Sequence, residues 1–267
     1  MKGIKDASTR TTALITGASS GIGTELAKVF ARHGHDLVLV ARNQDRLFQL
    51  AQDLSAAFNL SVTVIAKDLA TPTAVPELVA EVRQAGLRIS FLVNNAGMDV
   101  YGYFYDTDWQ QELQMIQLNL VSLTQLTKLL LAEMCQQRSG RILNLGSTGS
   151  FVPSPLNTVY AATKAFVLSF SSALAEELRG TGVTVTALCP GATRTEFQAR
   201  AHIGRVRLLR FGVLEAATVA EVGYRAMMSG QRVVVPGLYN QAQILLARLL
   251  PSSLMVRMAR AMLQPVS

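Results

Sequence analysis

Apolar residues come in short, nearly unbroken runs along most of the chain, at 13–15, 36–41, 61–66, 89–93, 141–145 and 183–188. Between them lie longer stretches whose apolar positions recur at helical spacing, at 25–33, 45–58, 74–85, 109–137 and 159–178. A run that is apolar on both faces reads as a buried parallel strand, and the helix between two such runs supplies the crossover. A last strand is expected at 232–235, after an irregular insert at about 192–217. No Pro-, Gly- or Ser-rich linker and no repeat divides the chain. The pattern therefore predicts one α/β domain, a doubly wound parallel sheet with helices on both faces. A helical C-terminal extension follows at 238–267, with stretches at 239–250 and 253–263 separated by Pro251. In the second stretch Leu254, Met255, Met258 and Met262 share a face, with Arg257, Arg260 and Gln264 opposite.

Composition narrows the class. Of 267 residues, 49% are hydrophobic and only 16% charged, which excludes a disordered chain. Two cysteines, Cys135 and Cys189, cannot build a disulfide scaffold, and the first eleven residues carry no apolar leader. The expectation is a cytoplasmic protein. Mean hydropathy is high at +0.27, yet no uninterrupted apolar run approaches the roughly 18 residues of a spanning helix. Residues 198–214 contain Arg200, Arg205, Arg207 and Arg210 without an acid, and 238–267 contain Arg248, Arg257 and Arg260 without one. Those seven arginines equal the whole net charge of +7. The basic stretches lack aromatic interleaving, zinc-ligand spacing or a recognition-helix pattern, so no nucleic-acid partner is expected. His33, His35 and His202 have no metal-ligand spacing, and no metal is expected. Three uses fit the tail: packing on the protein's own lid, peripheral contact with an anionic membrane, or, together with the arginines at 200–210, docking of an acidic substrate carrier.

The first candidate chemistry lies directly after the first strand. Residues 16–23 read TGASSGIG, where Gly17, Gly21 and Gly23 suit a tight turn that brings backbone N–H groups to a pyrophosphate at a helix N-terminus. Ser19, Ser20 and Ile22 belong to the same turn. The glycine turn at the first strand–helix junction makes the sheet Rossmann-type. At the end of the second strand, where an acid would hold a ribose 2′-hydroxyl, stand Ala41 and Arg42. A guanidinium grips a 2′-phosphate, so the expected cofactor is NADP(H).

Further stretches join it: Asn94-Asn95-Ala96-Gly97, Asn119, Ser147, Tyr160-Ala161-Ala162-Thr163-Lys164, Pro190-Gly191 and Asp68. With the glycine turn, these make the chain resemble the short-chain dehydrogenase/reductase family from about residue 13 to 235. Thr193 departs from the Val common after the Pro-Gly, and the tail is longer than a minimal member needs. The resemblance implies that Asn119 holds a water in a proton relay and that Asp68 bonds the adenine amino group. It places Asn95, Ala96 and Gly97 beside the adenine ribose, Thr195 with the Thr193 backbone at the nicotinamide carboxamide, and Pro190 and Gly191 among the other cofactor-binding residues. It also implies a homodimer or higher homo-oligomer built on the helices at 109–137 and 159–178.

The catalytic group can be argued from chemistry as well. Hydride transfer to a ketone builds an alkoxide, which needs a proton donor. A Tyr160 phenol with Lys164 at i+4 on the same helix face would be acidified by the ammonium. Ser147 at a strand end can donate to the substrate oxygen. Tyr160 and Lys164 would also touch the cofactor. The expected function is an NADP(H)-dependent oxidoreductase interconverting a carbonyl and a secondary alcohol on a small molecule. Gly149, Phe151, Val152 and Phe197 favour an apolar substrate. The rival is an NADP-binding redox sensor or scaffold with little turnover.

Overall fold

The computed structural model describes residues 10–197, Val206 and residues 212–264. The apolar runs form the strands β1 (Thr12–Thr16), β2 (Asp36–Ala41), β3 (Val62–Ala66), β4 (Ile89–Asn94), β5 (Gly140–Leu145) and β6 (Val183–Leu188). A two-residue ribbon pairs β7 (Thr193–Arg194) with β8 (Leu214–Glu215), and β9 (Val233–Val234) closes the main sheet. Seven strands pair in the order β3-β2-β1-β4-β5-β6-β9, all parallel. The chain winds outward from β1 to β3, then returns to β4 on the other side of β1. That reversal opens a crevice between the C-terminal ends of β1 and β4, where ligands bind in such sheets.

Alternation along the strands divides the core. Ala13 and Ile15 of β1 face one cluster with Leu26, Phe30, Leu39 and Leu47, while Leu14 faces the other with Val38, Leu78, Leu92 and Leu126. The first layer comprises α1 (Gly21–Arg32), α2 (Gln44–Phe58) and a later helix. The second comprises α3 (Ala74–Gln84), α5 (Leu123–Gln136) and α6 (Thr158–Glu177). In chain order α4 (Trp109–Ile116) precedes α5, Asp108 capping it by accepting from the Gln110 and Gln111 amides. The remaining helices are α7 (Ala216–Ser229), which completes the first layer, then α8 (Leu238–Leu249) and α9 (Ser252–Leu263).

Several expectations need correction. The helix expected over 109–137 is not regular: a π-helical turn at Gln117–Ser122 separates α4 from α5. Helix α1 begins at Gly21, four residues earlier than its apolar spacing suggests, because the glycine turn leads straight into it. Helix α7 was not anticipated at all, and the last strand is only two residues long. By length and composition alone, Trp109–Gln136 and Thr158–Glu177 could cross a membrane, although polar residues interrupt both. Here they cover the sheet. Most of the insert, with Arg200, His202, Arg205, Arg207 and Arg210, lies outside the described residues.

Candidate active site

The glycine turn is built by close approach. Gly17 has φ of +66°, and a Cβ there would lie 2.8 Å from Asn95 Nδ2 and 2.9 Å from Ala96 Cα. Only glycine relieves both strains. Gly23 does not line the cleft; a Cβ on it would collide with the Gly17 carbonyl, so it lets α1 pack against the turn. Thr16 Oγ1 accepts the amides of Asn95 and Ala96, each at 3.0 Å, and Asn95 Nδ2 donates to Thr16 O at 2.9 Å. The ends of β1 and β4 are thereby bolted together across the crevice.

Above this junction lies a cleft of about 440 Å³. It is lined by Gly17, Ser19, Ser20, Gly21 and Ile22 at the start of α1, by Arg42 and Asp68 after β2 and β3, and by Asn95, Ala96 and Gly97 after β4. Ser147, Tyr160, Lys164, Pro190, Gly191, Thr193 and Thr195 line the far end. Every expected cofactor-binding residue except Gly23 is therefore on one surface. An extended ligand with an anionic centre fits it, since the first turn of α1 contains no acidic residue and its terminal N–H groups carry positive potential. Among the lining residues that escaped the sequence reading are Asn43, Arg46 and Lys67. Arg42 stands 3.9 Å from Asp68, both partly exposed, while Arg46 pairs with Glu196 at 2.8 Å. Lys67 is flanked by Glu77 and Glu81, at 2.9 and 2.7 Å. The signal was present, a cation one helical turn beyond Arg42 and another after β3, but only the fold brings them to one wall.

A second cleft of about 250 Å³ opens beside the first. Val152, Phe197, Val206, Ile244, Met255, Met258, Met262 and Leu263 make it largely apolar, with Gly149 at its edge. Phe151, expected here, does not line it. The Met face of α9 thus turns onto the protein itself, and Tyr101 Oη donates to the Leu263 carbonyl to hold the end of the tail. Ser147, Tyr160, Gly191 and Phe197 belong to both clefts. Those four residues mark where the two spaces meet.

The groups at that meeting point are tightly placed. Ser147 Oγ accepts from the Gly149 amide at 3.0 Å. Lys164 is buried and its Nζ donates to the Leu145 carbonyl at 2.8 Å, 5.7 Å from the Tyr160 ring centre. Burial lowers its value to about 8, with Cys189 and Asp99 opposing. Tyr160 was expected to be acidified, but burial raises its phenol above the usual value. Nearby Asp99 adds to the rise, and the Ser147 hydroxyl opposes it. Desolvation is the largest influence on the phenol in this arrangement. Asn119, on the π-helical turn, does not reach the cleft. Its Nδ2 donates to Met98 O at 2.9 Å and to Thr163 Oγ1 at 3.1 Å, and its Oδ1 accepts the Met98 amide at 3.0 Å. The side chain is therefore spent on clamping the loop after Gly97.

A Gly-rich turn at the switch point of a doubly wound sheet thus stands next to half-buried Ser147 and Tyr160 and buried Lys164. The short chain dehydrogenase family matches residues 11–204, and the chain belongs to that family. It is 37% identical over 182 residues to the human very-long-chain 3-oxoacyl-CoA reductase, a match covering 67% of this chain and 58% of that enzyme. The chain thus spans less than two thirds of that relative's length. A short-chain dehydrogenase from Sphingobium yanoikuyae, solved with NADPH, superposes with a TM-score of 0.81 at 38% identity, covering 87% of this chain and 90% of that one. The bulky-bulky ketone specific alcohol dehydrogenase of Comamonas testosteroni gives a TM-score of 0.76 at 33% identity, covering 90% and 92%.

Proposed function

We infer that the protein is an NADP(H)-dependent oxidoreductase that interconverts a carbonyl and a secondary alcohol on an apolar small molecule. One observation carries the reading: Ser147 and Tyr160 line both a dinucleotide-sized cleft and an apolar cleft. A carbonyl there meets two hydroxyl donors and the mouth of the cofactor site together. A nicotinamide dinucleotide in the larger cleft supplies or takes the hydride. Ser147, whose oxygen already accepts from Gly149, donates its own proton to the substrate oxygen and holds it in place. Tyr160, kept neutral by burial, gives its proton to that oxygen as negative charge develops. Lys164 bears its ammonium beside the phenol and stabilises the phenolate left behind, while Asn119 positions the loop under both. The choice of NADP(H) is supported by Ala41 in place of an acid and by Arg42, Arg46 and Lys67 on the cleft wall. The NADPH complex of the Sphingobium enzyme supports the same choice. The Comamonas enzyme's stated specificity for bulky ketones supports an apolar, bulky carbonyl.

The test is a stopped-flow panel of carbonyls with NADPH and with NADH, joined to titration of both cofactors. Arg42→Ala is expected to weaken NADPH by roughly 1.5–3 kcal/mol, the scale of a charged hydrogen bond, and to leave NADH almost unchanged. Equal affinity of the unaltered protein for the two cofactors overturns the NADP assignment. Absence of turnover across the panel overturns the oxidoreductase reading. Two broader features complete the proposal. Trp109, Leu113, Val121 and Phe166 are exposed on the α4–α6 side, which supports a homodimer. Leu238, Leu245 and Leu249 form an exposed stripe on α8, which supports peripheral contact with a membrane.

A further inference from the structure

Gly191 lines both clefts, yet its backbone conformation does not call for glycine, since its φ lies outside the left-handed region. Space calls for it instead. A Cβ there would fall 2.7 Å from Asn240 Cγ and 2.8 Å from Asn240 Nδ2, and would overlap Oδ1. The amide of Asn240 therefore lies directly against the Gly191 backbone. Asn240 belongs to none of the motifs that mark the site. It stands in the first turn of α8, only 3% exposed, one turn before Ile244, the other buried residue of that helix.

Local contacts hold that amide in one orientation. Asn240 Nδ2 donates to the Pro236 carbonyl, four residues back, at 2.8 Å. Beside it Tyr239 packs on Gly212, where a Cβ would lie 2.9 Å from Tyr239 Cε1. Two consecutive side chains of α8 thus press on the chain just ahead of β7 and of β8. The supported segment is tied at its flanks as well. The Thr148 amide donates to Pro190 O at 2.8 Å, and the Leu214 amide to Ala192 O at 3.0 Å. Thr193 Oγ1 donates to Gly191 O at 3.0 Å. Thr148 follows Ser147, so a shift of residues 190–193 is passed on to the loop that carries the Ser147 hydroxyl.

We propose that Asn240 is a positioning residue, whose amide holds Gly191 and the 190–193 segment forward as the wall of the nicotinamide end of the cofactor cleft. The inference rests on the reading of the larger cleft as the NADP(H) site with its nicotinamide end at Tyr160. It gives the helical extension a part in that site. A wall set in advance costs a ligand less to bind than one that the ligand must order. Space opened behind Gly191 lets the segment retreat from the cleft, and a side chain added at Gly191 drives it inward. Either change harms the nicotinamide half and spares the adenosine half, whose walls around Arg42 and Asp68 lie at the other end of the cleft.

The experiment compares, by calorimetry on the full chain, binding of NADP⁺ with binding of adenosine 2′,5′-bisphosphate, which keeps the adenosine end and lacks the nicotinamide. Asn240→Ala is expected to weaken NADP⁺ about tenfold and to change the bisphosphate by less than about twofold. Gly191→Ala is expected to weaken NADP⁺ at least as much, again with the bisphosphate unchanged. Combining Gly191→Ala with Asn240→Ala is expected to return NADP⁺ to within about threefold of the unaltered protein, because the new methyl group takes the vacated space. Melting curves establish that each variant is folded. If Asn240→Ala is not, Asn240→Ser replaces it, since a serine hydroxyl bonds to the carbonyl four residues back and still leaves the space over Gly191 empty. Unchanged NADP⁺ affinity in the folded Asn240 variant overturns the proposal. So does an equal loss for both ligands, which marks general loosening, or a double variant that binds NADP⁺ no better than Gly191→Ala alone. Those three results leave the NADP(H) reading standing; an unaltered protein that binds neither ligand defeats that reading and the proposal with it.

Discussion

Tyr160 and Lys164 sit in one apolar setting that moves them in opposite directions, the phenol up and the ammonium down to about 8. A phenol that resists ionisation is a proton donor at rest, as the reductive direction requires. Tyr160→Phe deletes that proton while keeping the ring beside Phe197, 6.0 Å away between centres. Turnover on a confirmed carbonyl is expected to fall at least ~10²-fold, the usual worth of a general acid, while cofactor titration stays normal. Near-normal turnover would refute the role of the phenol. Asp99 carries a consequence for stability. Its folded-state value, raised from 3.8 to about 7, means that the folded protein holds this proton more tightly than the unfolded chain. Stability from this group is complete below pH ~4 and lost as pH rises to ~7. Asp99→Asn removes the titration, so its stability relative to the unaltered protein should improve by about 2 kcal/mol between pH ~5 and ~8. Denaturant curves at the two pH values measure this, and a constant difference would contradict it.

Elements differ in how openly the sequence announces them. Continuous runs such as DLVLVA at 36–41 can only be buried on both faces, and the glycine turn needs no tertiary context, so β1 to β6 and the cofactor cleft follow from local pattern. Helix α7 does not. It has no side-chain cap at Glu215 and carries Gly223 in its interior, a residue that argues against a helix. The fold supplies the reason: a Cβ at Gly223 would lie 2.5 Å from Leu188 Cδ2, so glycine lets α7 press onto β6. The π-helical turn around Asn119 likewise has no local signature, since QLNLVS reads as ordinary helix. Gly191 and Asn240, far apart in the chain, acquire meaning only from contact. The tail was ambiguous for a different reason: its Met face fits any apolar surface, and the fold shows that surface to be the wall of the smaller, apolar cleft. Met255→Trp, which adds bulk to the wall of a 250 Å³ cavity, should raise KM for bulky ketones about tenfold or more, with cofactor affinity unchanged within about twofold. Unchanged KM would remove α9 from the cleft wall.

At the scale of the whole molecule, two of the places where apolar side chains are exposed among the described residues set an expectation about what covers them. Trp109, Leu113, Val121 and Phe166 are 56%, 44%, 45% and 38% exposed on the two long sheet-covering segments. Apolar side chains gathered on one side in this way mark an interface more often than free surface. Light scattering at micromolar concentration should give at least a dimer mass, shifting toward monomer in Leu113→Glu combined with Phe166→Glu; a monomer in the unaltered protein refutes the assignment. The second place is α8, where Leu238, Leu245 and Leu249 are 83%, 60% and 74% exposed. Their spacing of seven and four residues sets them on one helix face. Arg248, Arg257 and Arg260 are exposed on the same two-helix extension and pair with no acid among the described residues. Part of the apolar face of α9 lines the cleft, and the α8 stripe is the more exposed apolar surface of the extension. An apolar stripe beside unpaired arginines suits an anionic lipid surface, where each cation near the headgroups adds about 1 kcal/mol. Sedimentation with anionic vesicles is expected to carry the protein down at low salt and release it as salt screens the arginines. Neutral vesicles should not bind. Leu245→Glu with Leu249→Glu should abolish the attachment while leaving the α9 wall of the cleft, and therefore ketone reduction, in place. Failure to sediment with anionic vesicles at low salt would refute the membrane contact, and sedimentation that survives the two glutamates would place the contact elsewhere on the protein.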